Sequence, residues 1–441
     1  MNPAIVIPTY WTADLSAVGS YDHTTLVDSE HPDLARCLDS LDQVKGVMRT
    51  FILLVAPPGV EEAARARVDE IAATHPHLNP LVIGREEARP IQNAVVNCAP
   101  RLSGETVGLR GYGAIRNLGL LCCAVFGHDV AVFLDDDEVV LNDQFLIDAV
   151  YGLGQMTKQN LPVVAKTGYW VDKDGNYLSK GNPSPTGKKT WEDRYWNKTE
   201  DFNTWMRHAL ATTRISRSNT MYGGCMSIHA EAFSRVGFDP YISRGEDLDY
   251  LFNLRLYGMD VWFDNKWRVL HLPPTTPDPA NRFRQNAYRW MYEREKLGHA
   301  GAKIDLKQVT AQSLMPYPGK FLTADLERNI RRTALRRALK TNNHKEYFQI
   351  FIRGVDEARL NAQRYAALYL NFQSFWPNIV ATLWESRPLE EYIYERGCPE
   401  PLRGVNPYTS SAERPSEPIP PVGEPDGVVE ASEALDVSSN A

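Results

Sequence analysis

Four short runs in the first third of the chain, residues 4–7, 51–55, 81–83 and 130–134, are apolar at nearly every position. Continuous apolar runs of this length read as strands buried on both faces. Between them lie helical patterns: residues 32–41, with Pro32 suited to a first turn, the Ala-, Arg- and Glu-rich residues 61–73, and residues 112–126. Strands that alternate with helices predict an α/β fold, a mostly parallel sheet covered on both faces. Ligands on such sheets bind outside the carboxyl ends of the strands. The first run is expected to end at Pro8, so Pro8-Thr9-Tyr10-Trp11 follows one strand and Asp135-Asp136-Asp137-Glu138 another. Both segments should reach one crevice.

The second half is less regular. A helix is expected over 142–155, a strand over 163–168 and a hairpin turn at 172–175. Residues 182–203, rich in Trp, Tyr, Pro, Lys and Asp, predict a long loop and a helix start. A strand over 223–228, a helix over 246–257, strands over 261–263 and 268–270, and a basic, aromatic helix over 282–296 follow. From about residue 300 helical patterns run to about 384, an α-helical extension or an oligomerisation surface. Beyond 405 the chain is rich in Pro, Ser, Glu and Gly, which predicts a disordered tail.

Charge and cysteine content narrow the function. A net charge of -7 over 441 residues argues against a nucleic-acid partner, which needs a basic surface. An acidic enzyme still binds an anionic nucleotide where a divalent cation supplies local positive charge. The six cysteines lack metal-ligand spacing and read as reduced thiols. With no basic, apolar leader after Met1, they give a cytoplasmic expectation. The most apolar stretch, 118–134, is broken by Gly127, His128 and Asp129, so no transmembrane segment is expected. Asn197-Lys198-Thr199 fits a glycosylation sequon and is taken as chance.

The acidic run carries the first chemistry. Along an extended chain alternate side chains share a face, so Asp135 and Asp137 converge while Asp136 points away. Two carboxylates with diphosphate oxygens and water are a common holder of Mg²⁺, although an isolated acidic triplet is often a solvated turn. His271, at the end of the last strand-like run, offers an imidazole suited to Mn²⁺ and similar ions. Gly245-Glu246-Asp247 opens a helix, where acidic residues suit the positive dipole end. Functionally, Glu246 and Asp247 are placed to orient and deprotonate an acceptor hydroxyl. The glycine-rich start at 108–117 brings Arg116 to where it can pair with a nucleotide anion.

In their order along the chain, Ile5-Val6-Ile7-Pro8-Thr9-Tyr10, Ile115-Arg116-Asn117-Leu118-Gly119, Phe133-Leu134-Asp135-Asp136-Asp137, Gly223-Gly224, Gly245-Glu246-Asp247 and His271 resemble GT-A glycosyltransferases, most closely family 2 and its relatives. The resemblance covers roughly residues 1–296. It implies a Rossmann-like GT-A domain over 1–299, with a nucleotide-sugar half (about 1–140) and an acceptor half (141–299), then a helical extension over 300–404 and the tail. It implies nucleobase contacts from Pro8, Thr9 and Tyr10, donor contacts from Asp135 and Asp136, and metal ligation by Asp135, Asp137 and His271. Asp247 matches the base of inverting members, with Glu246 beside it, and Gly224 falls on the acceptor side. The extra acids Asp136 and Glu138 leave the ligand assignment open by one position.

The resemblance implies a UDP- or GDP-sugar donor, Mn²⁺ or Mg²⁺, and a carbohydrate or small-molecule acceptor. Trp191, Tyr195, Trp196, Phe202 and Trp205 form either an aromatic acceptor platform or ordinary packing. Arg282, Arg284, Arg289 and Arg294 either hold an anion or make a solvated helix face. A sugar-1-phosphate nucleotidyltransferase would want a glycine-rich basic loop after the first strand, where Pro8-Thr9-Tyr10-Trp11 stands. A non-catalytic carbohydrate- or nucleotide-binding protein would not need Asp135, Asp137, Asp247 and His271 intact.

Overall fold

The computed structural model describes residues 1–14, 24–102, 104–179, 191–196, 198–273 and 279–403. The expected disordered tail and Asn197 of the sequon lie outside these residues, as do 180–190 of the expected loop. In chain order the first half runs β1 (Pro3–Thr12), β2 (Thr25–Leu26), α1 (Asp33–Leu41), β3 (Thr50–Val55), α2 (Glu61–Ala73), β4 (Pro80–Ile83), α3 (Arg85–Cys98), α4 (Tyr112–Val125) and β5 (Val130–Phe133). Next come β6 (Glu138–Val140), α5 (Phe145–Val150), β7 (Ala165–Val171), α6 (Trp191–Trp196), α7 (Thr199–Ala211), β8 (Ile215–Arg217), β9 (Met226–His229), α8 (Ala230–Phe233), α9 (Glu246–Leu256), β10 (Val261–His271) and α10 (Pro279–Gly301). The C-terminal helices are α11 (Leu326–Lys340), α12 (His344–Gln349), α13 (Val355–Leu383) and α14 (Arg387–Gly397).

One sheet organises the molecule, in the order β4-β3-β1-β5-β9-β7-β10-β6, with β2 on β1 and β8 on β10. The pairs β3–β4, β1–β3, β1–β5 and β7–β10 are parallel, while β9 runs antiparallel to both β5 and β7. The alternating β/α half thus forms the mostly parallel sheet that its apolar runs predict. Each face of the sheet has its own core. Val6, Leu53, Phe133 and α4 lie in one; Ile5, Ile7, Ile52, Val132 and Trp262 lie in the other. This division follows from the two-residue period of a strand.

Several expectations need correction. β1 does not end at Pro8 but continues to Thr12, buried throughout. The β5 partner covers only residues 3–6 of β1, so Pro8 lies past that ladder and its missing N–H breaks no bond there. Helix α3 was not expected; Pro90 lies within it, and its acidic start shows no apolar period. The Gly84 N–H donates to Glu87 Oε2 at 2.8 Å and closes its first turn. The helix expected over 142–155 shrinks to α5, and the two last strands are one, β10, with a register shift between Phe263 and Arg268.

The C-terminal helices pack onto the sheet domain rather than standing off it. Trp376 Nε1 donates to the Phe233 carbonyl at 2.6 Å, and the Gly237 N–H donates to Gln373 Oε1 at 3.0 Å. Farther on, Arg65 Nη2 donates to the Arg396 carbonyl at 2.7 Å, tying the end of the extension to α2. Trp376, Tyr369 and Phe372 share one core with α4 and β5. Among the described residues no helix is long and apolar enough to cross a membrane.

Candidate active site

At the carboxyl ends of β1, β3 and β4 the chain leaves a cleft of about 1390 Å³, bordered by Tyr10, Val55, Arg65, Glu87, Leu109 and, from the C-terminal region, Glu400. The acidic run sits beside it, between β5 and β6. The turn is tight: the Glu138 N–H donates to the Asp135 carbonyl at 3.1 Å, and Glu138 opens β6. β6 pairs with β10 so that Glu138 lies opposite His271. That pairing, between residues 133 apart in sequence, brings the imidazole to the acids.

The four carboxylates then separate. Asp136 is buried and accepts from Thr9 Oγ1 at 2.6 Å, and Trp11 Nε1 donates to the same Thr9 oxygen at 2.8 Å. Asp137 Oδ2 lies 3.4 Å from His271 Nε2. Asp135, with 30% of its side chain exposed, accepts from Arg116 Nη2 at 2.7 Å. Burial raises the Glu138 carboxyl well above the usual carboxylate range, and Asp135 and Asp137 push it further. Gly224 is buried against it, and a Cβ there would run into the Glu138 carboxylate.

Across the crevice, Gly245 (φ +73°) opens α9 and delivers Glu246 and Asp247. Glu246 is buried and turned to Arg116, whose Nε lies 3.4 Å from its Oε1. Burial raises the Glu246 carboxyl to about 7; Arg116 opposes the rise, while Asp247 and Asp135 add to it. Burial works against the Arg116 charge, but Asp135 and Glu246 outweigh it and hold the guanidinium ionised. Asp247 is half-buried, and its Oδ1 accepts the Leu248 N–H at 2.7 Å. Arg116 also lies over the Phe133 ring, 5.1 Å from its centroid.

These distances redistribute the expected residues. The structure brings together Asp135, Asp137, His271, Arg116 and Glu246, with Asp247 next to Glu246 in the first turn of α9. It turns the side chains of Thr9 and Asp136, expected at the donor, towards each other, because alternate positions of β1 and of the acidic turn face opposite ways. Pro8 is buried within β1, while Tyr10 borders the cleft with its ring edge-on to Tyr112 at 6.1 Å. The aromatic platform resolves largely into packing. Trp196 stacks on Phe321 and donates from Nε1 to Thr333 Oγ1 at 2.6 Å. Trp191 stacks on Tyr195 and carries Arg332 over its ring, and Trp205 packs on Phe263. Gly224, expected on the acceptor side, is filled by Glu138 instead.

A separate group of potential ligands, Asp39, Asp42 and His75, lies at the amino-terminal ends of β3 and β4, away from the crevice. His75 Nδ1 and Asp42 Oδ1 are 2.7 Å apart, an ordinary hydrogen bond.

A family profile described as "Glycosyltransferase like family 2" matches residues 27–293, more than half of the chain. The chain belongs to that family. It is therefore a glycosyltransferase with the GT-A type of fold, and the helices after residue 326 are an addition outside the matched region. A search of curated proteins gives no match. Among solved structures, a mannosyltransferase from Pyrobaculum calidifontis in complex with GDP-Man and Mn²⁺ is 12% identical, with 86% of each chain covered and a TM-score of 0.39. Glucosyl-3-phosphoglycerate synthase from Mycobacterium tuberculosis, in complex with Mn²⁺ and UDP-glucose, is 9% identical, covering 63% of this chain and 72% of that one, with a TM-score of 0.32.

Sequence reasoning missed two features of the glycosyltransferase site. The short strand β6 that brings Glu138 opposite His271 carried only two valines as a signal. Arg289 of α10 donates from Nη2 to the Gly245 carbonyl at 3.0 Å, under the turn that presents Asp247. Its alternatives from sequence were an anion contact or a solvated face; the structure buries it.

Proposed function

We propose that this enzyme transfers a sugar from a UDP- or GDP-sugar to a hydroxyl of a carbohydrate or small-molecule acceptor, with inversion, using Asp247 as base and a divalent cation held by Asp137, His271 and Asp135. The observation that carries the reading is the placement of Asp137 3.4 Å from His271, in the same acidic run whose Asp135 pairs with Arg116 at 2.7 Å. The donor set suits Mn²⁺ or Mg²⁺: carboxylate oxygens with one imidazole, in a turn whose negative charge exceeds what Arg116 balances. When bound, such an ion offsets the charge of a departing diphosphate.

The chain's own residues support the remaining roles. The cleft beyond Tyr10 suits a nucleobase and ribose, and Arg116, kept charged by Asp135 and Glu246, adds positive field on the diphosphate side. Glu246 fixes Arg116 and so acts on it rather than on the acceptor. Asp247, half-open to the crevice, takes the proton of the acceptor hydroxyl as its oxygen bonds to the anomeric carbon and the bond from that carbon to the diphosphate oxygen breaks. Six free cysteines, five of them buried, support a cytoplasmic setting.

A screen of UDP- and GDP-sugars for nucleotide release, with Mn²⁺ and with chelator, tests the proposal. Release that requires the ion is expected for at least one donor, and NMR of the transferred product should give inverted anomeric configuration. No release from any donor, or release indifferent to chelator, would contradict the metal-dependent reading; retained configuration would contradict the role of Asp247.

A further inference from the structure

Helix α9, which presents Glu246 and Asp247, is gripped by α10 at two levels. Arg289 and Lys296 fall on one face of α10 by their spacing. In the body of α9, Lys296 Nζ pairs with Asp249 and donates to Asn253 Oδ1 at 3.0 Å. At its start, Arg289 Nη2 donates to the Gly245 carbonyl at 3.0 Å. The same carbonyl accepts the Asp249 N–H at 3.1 Å, the bond that closes the first turn of the helix. One oxygen thus joins the helix, the left-handed turn before it and Arg289.

Arg289 is only 8% exposed, and its buried Nε meets no hydrogen-bond partner among the described residues. Taking a guanidinium out of water with so few of its donors met is costly, and an apolar side chain would fill the space at less expense. What the arginine adds is a charged donor at a backbone oxygen two residues before Asp247. Gly245 is shaped to receive it. Its φ of +73° suits glycine, and a Cβ there would run into the Arg289 guanidinium. The guanidinium also lies over the Trp290 ring, 4.6 Å from its centroid, and Trp290 stacks on Phe321 of the extension at 4.9 Å. The arginine is therefore confined where it meets the turn.

We infer that Arg289 is a positioning residue for Asp247: by holding the Gly245 carbonyl it fixes the turn from which α9 presents the base. Gly245 and Asp247 are separated by one residue, so a shift of the carbonyl carries over to the carboxylate. An error of about 1 Å in a reacting group costs on the order of 10²-fold in rate. Arg289 acts on the reaction through Asp247, and the inference rests on the proposed role of Asp247 as base.

The test is a double-mutant cycle on the full-length enzyme with Mn²⁺ and whichever UDP- or GDP-sugar releases nucleotide fastest, water serving as acceptor. Arg289→Met should lower kcat for nucleotide release about 10²-fold, with the donor KM within about threefold of wild type. Added to Asp247→Asn, the same substitution should cost less than about threefold more, because misplacing a group that no longer takes the proton loses nothing. Arg289→Lys keeps a donor for the carbonyl and should stay within about tenfold of wild type; it is read in the same two backgrounds should thermal melts show that Arg289→Met does not fold. An unchanged kcat in Arg289→Met, a donor KM that rises as kcat falls, or an equal loss with and without Asp247 would overturn the inference. A mild effect of Asp247→Asn alone, or no nucleotide release by the wild type, would instead overturn the proposed reaction on which it rests.

Discussion

Two groups of carboxylates in this glycosyltransferase share a composition and differ in closure. One is the strand-end run Asp135–Glu138 beside Arg116. The other lies in the core, where Lys296 on α10 meets Asp239, Asp249 and Glu293, all with no exposed side-chain surface. In the core group Lys296 Nζ pairs with Asp249, lies 3.0 Å from Asp239 and also donates to Asn253 Oδ1. Tyr292 donates its hydroxyl to Asp239 at 2.8 Å. Burial raises Asp249 to about 8, with Glu293 adding and Lys296 opposing, and raises Asp239 to about 6 against the pull of Lys296. This group meets its charge internally, with a lysine and with retained protons. The strand-end group buries Asp136, Asp137 and Glu138 but leaves Asp135 with 30% of its side chain exposed. Its excess charge is left for something that arrives. Acidic residues in sequence do not tell the two apart; access does.

Variants should separate the groups by which readout they move. In the crevice, Asp247→Asn should lower kcat by about 10²- to 10⁴-fold, with donor KM little changed and the melting temperature near wild type. Steady-state kinetics with a varied donor checks this, and a mild effect would remove Asp247 from the base role. In the core, Lys296→Met strands three buried carboxylates and should cost about 3–5 kcal/mol of stability, read by urea unfolding. A loss under about 1 kcal/mol would mean that the group is solvated or protonated far more than its burial implies.

A smaller effect is expected at Thr9, whose hydroxyl serves the buried Asp136. Thr9→Val should cost about 1.5–3 kcal/mol, the range for a hydrogen bond to a charged group, with metal affinity unchanged if Asp136 is not a ligand. The smallest signal is a pH slope. Asp239 and Asp249 have folded values raised above their unfolded ones, so the folded state binds more protons. Their contribution to stability is complete below the unfolded carboxylate range and is lost as pH rises through about 6 and then about 8. Asp249→Asn should flatten thermal stability above pH 6 by up to about 1.4 kcal/mol per pH unit. A slope identical to wild type would contradict the assignment.

The legible part of the fold was the part carried by local pattern. Strands β3, β4 and β5 and helices α2, α4 and α9 follow from continuous apolar runs, propensity and a glycine before acidic residues. The acidic run and His271 were also visible as residue types at strand ends. What sequence did not carry was pairing at long range. Three residues of β6 put Glu138 across from His271, and Glu246 turned out to face Arg116, 130 positions away. Trp196 of α6 misled for a related reason: its partners Phe321 and Thr333 lie in the extension, beyond the reach of any local period. Pro8 misled because a proline stops a strand only where the neighbour its N–H would face needs that bond, and the β5 ladder ends before it.

In the proposed reaction a divalent ion and a nucleotide complete the strand-end run. Isothermal titration of UDP and GDP into the protein, with Mn²⁺ and with chelator, for wild type and Asp137→Ala, tests it most directly. Nucleotide binding should need Mn²⁺ and weaken at least about tenfold in Asp137→Ala, with the metal-free variant melting no lower than wild type because one repelling carboxylate is gone. Binding that is equal with and without Mn²⁺, and equal in the two proteins, would contradict it.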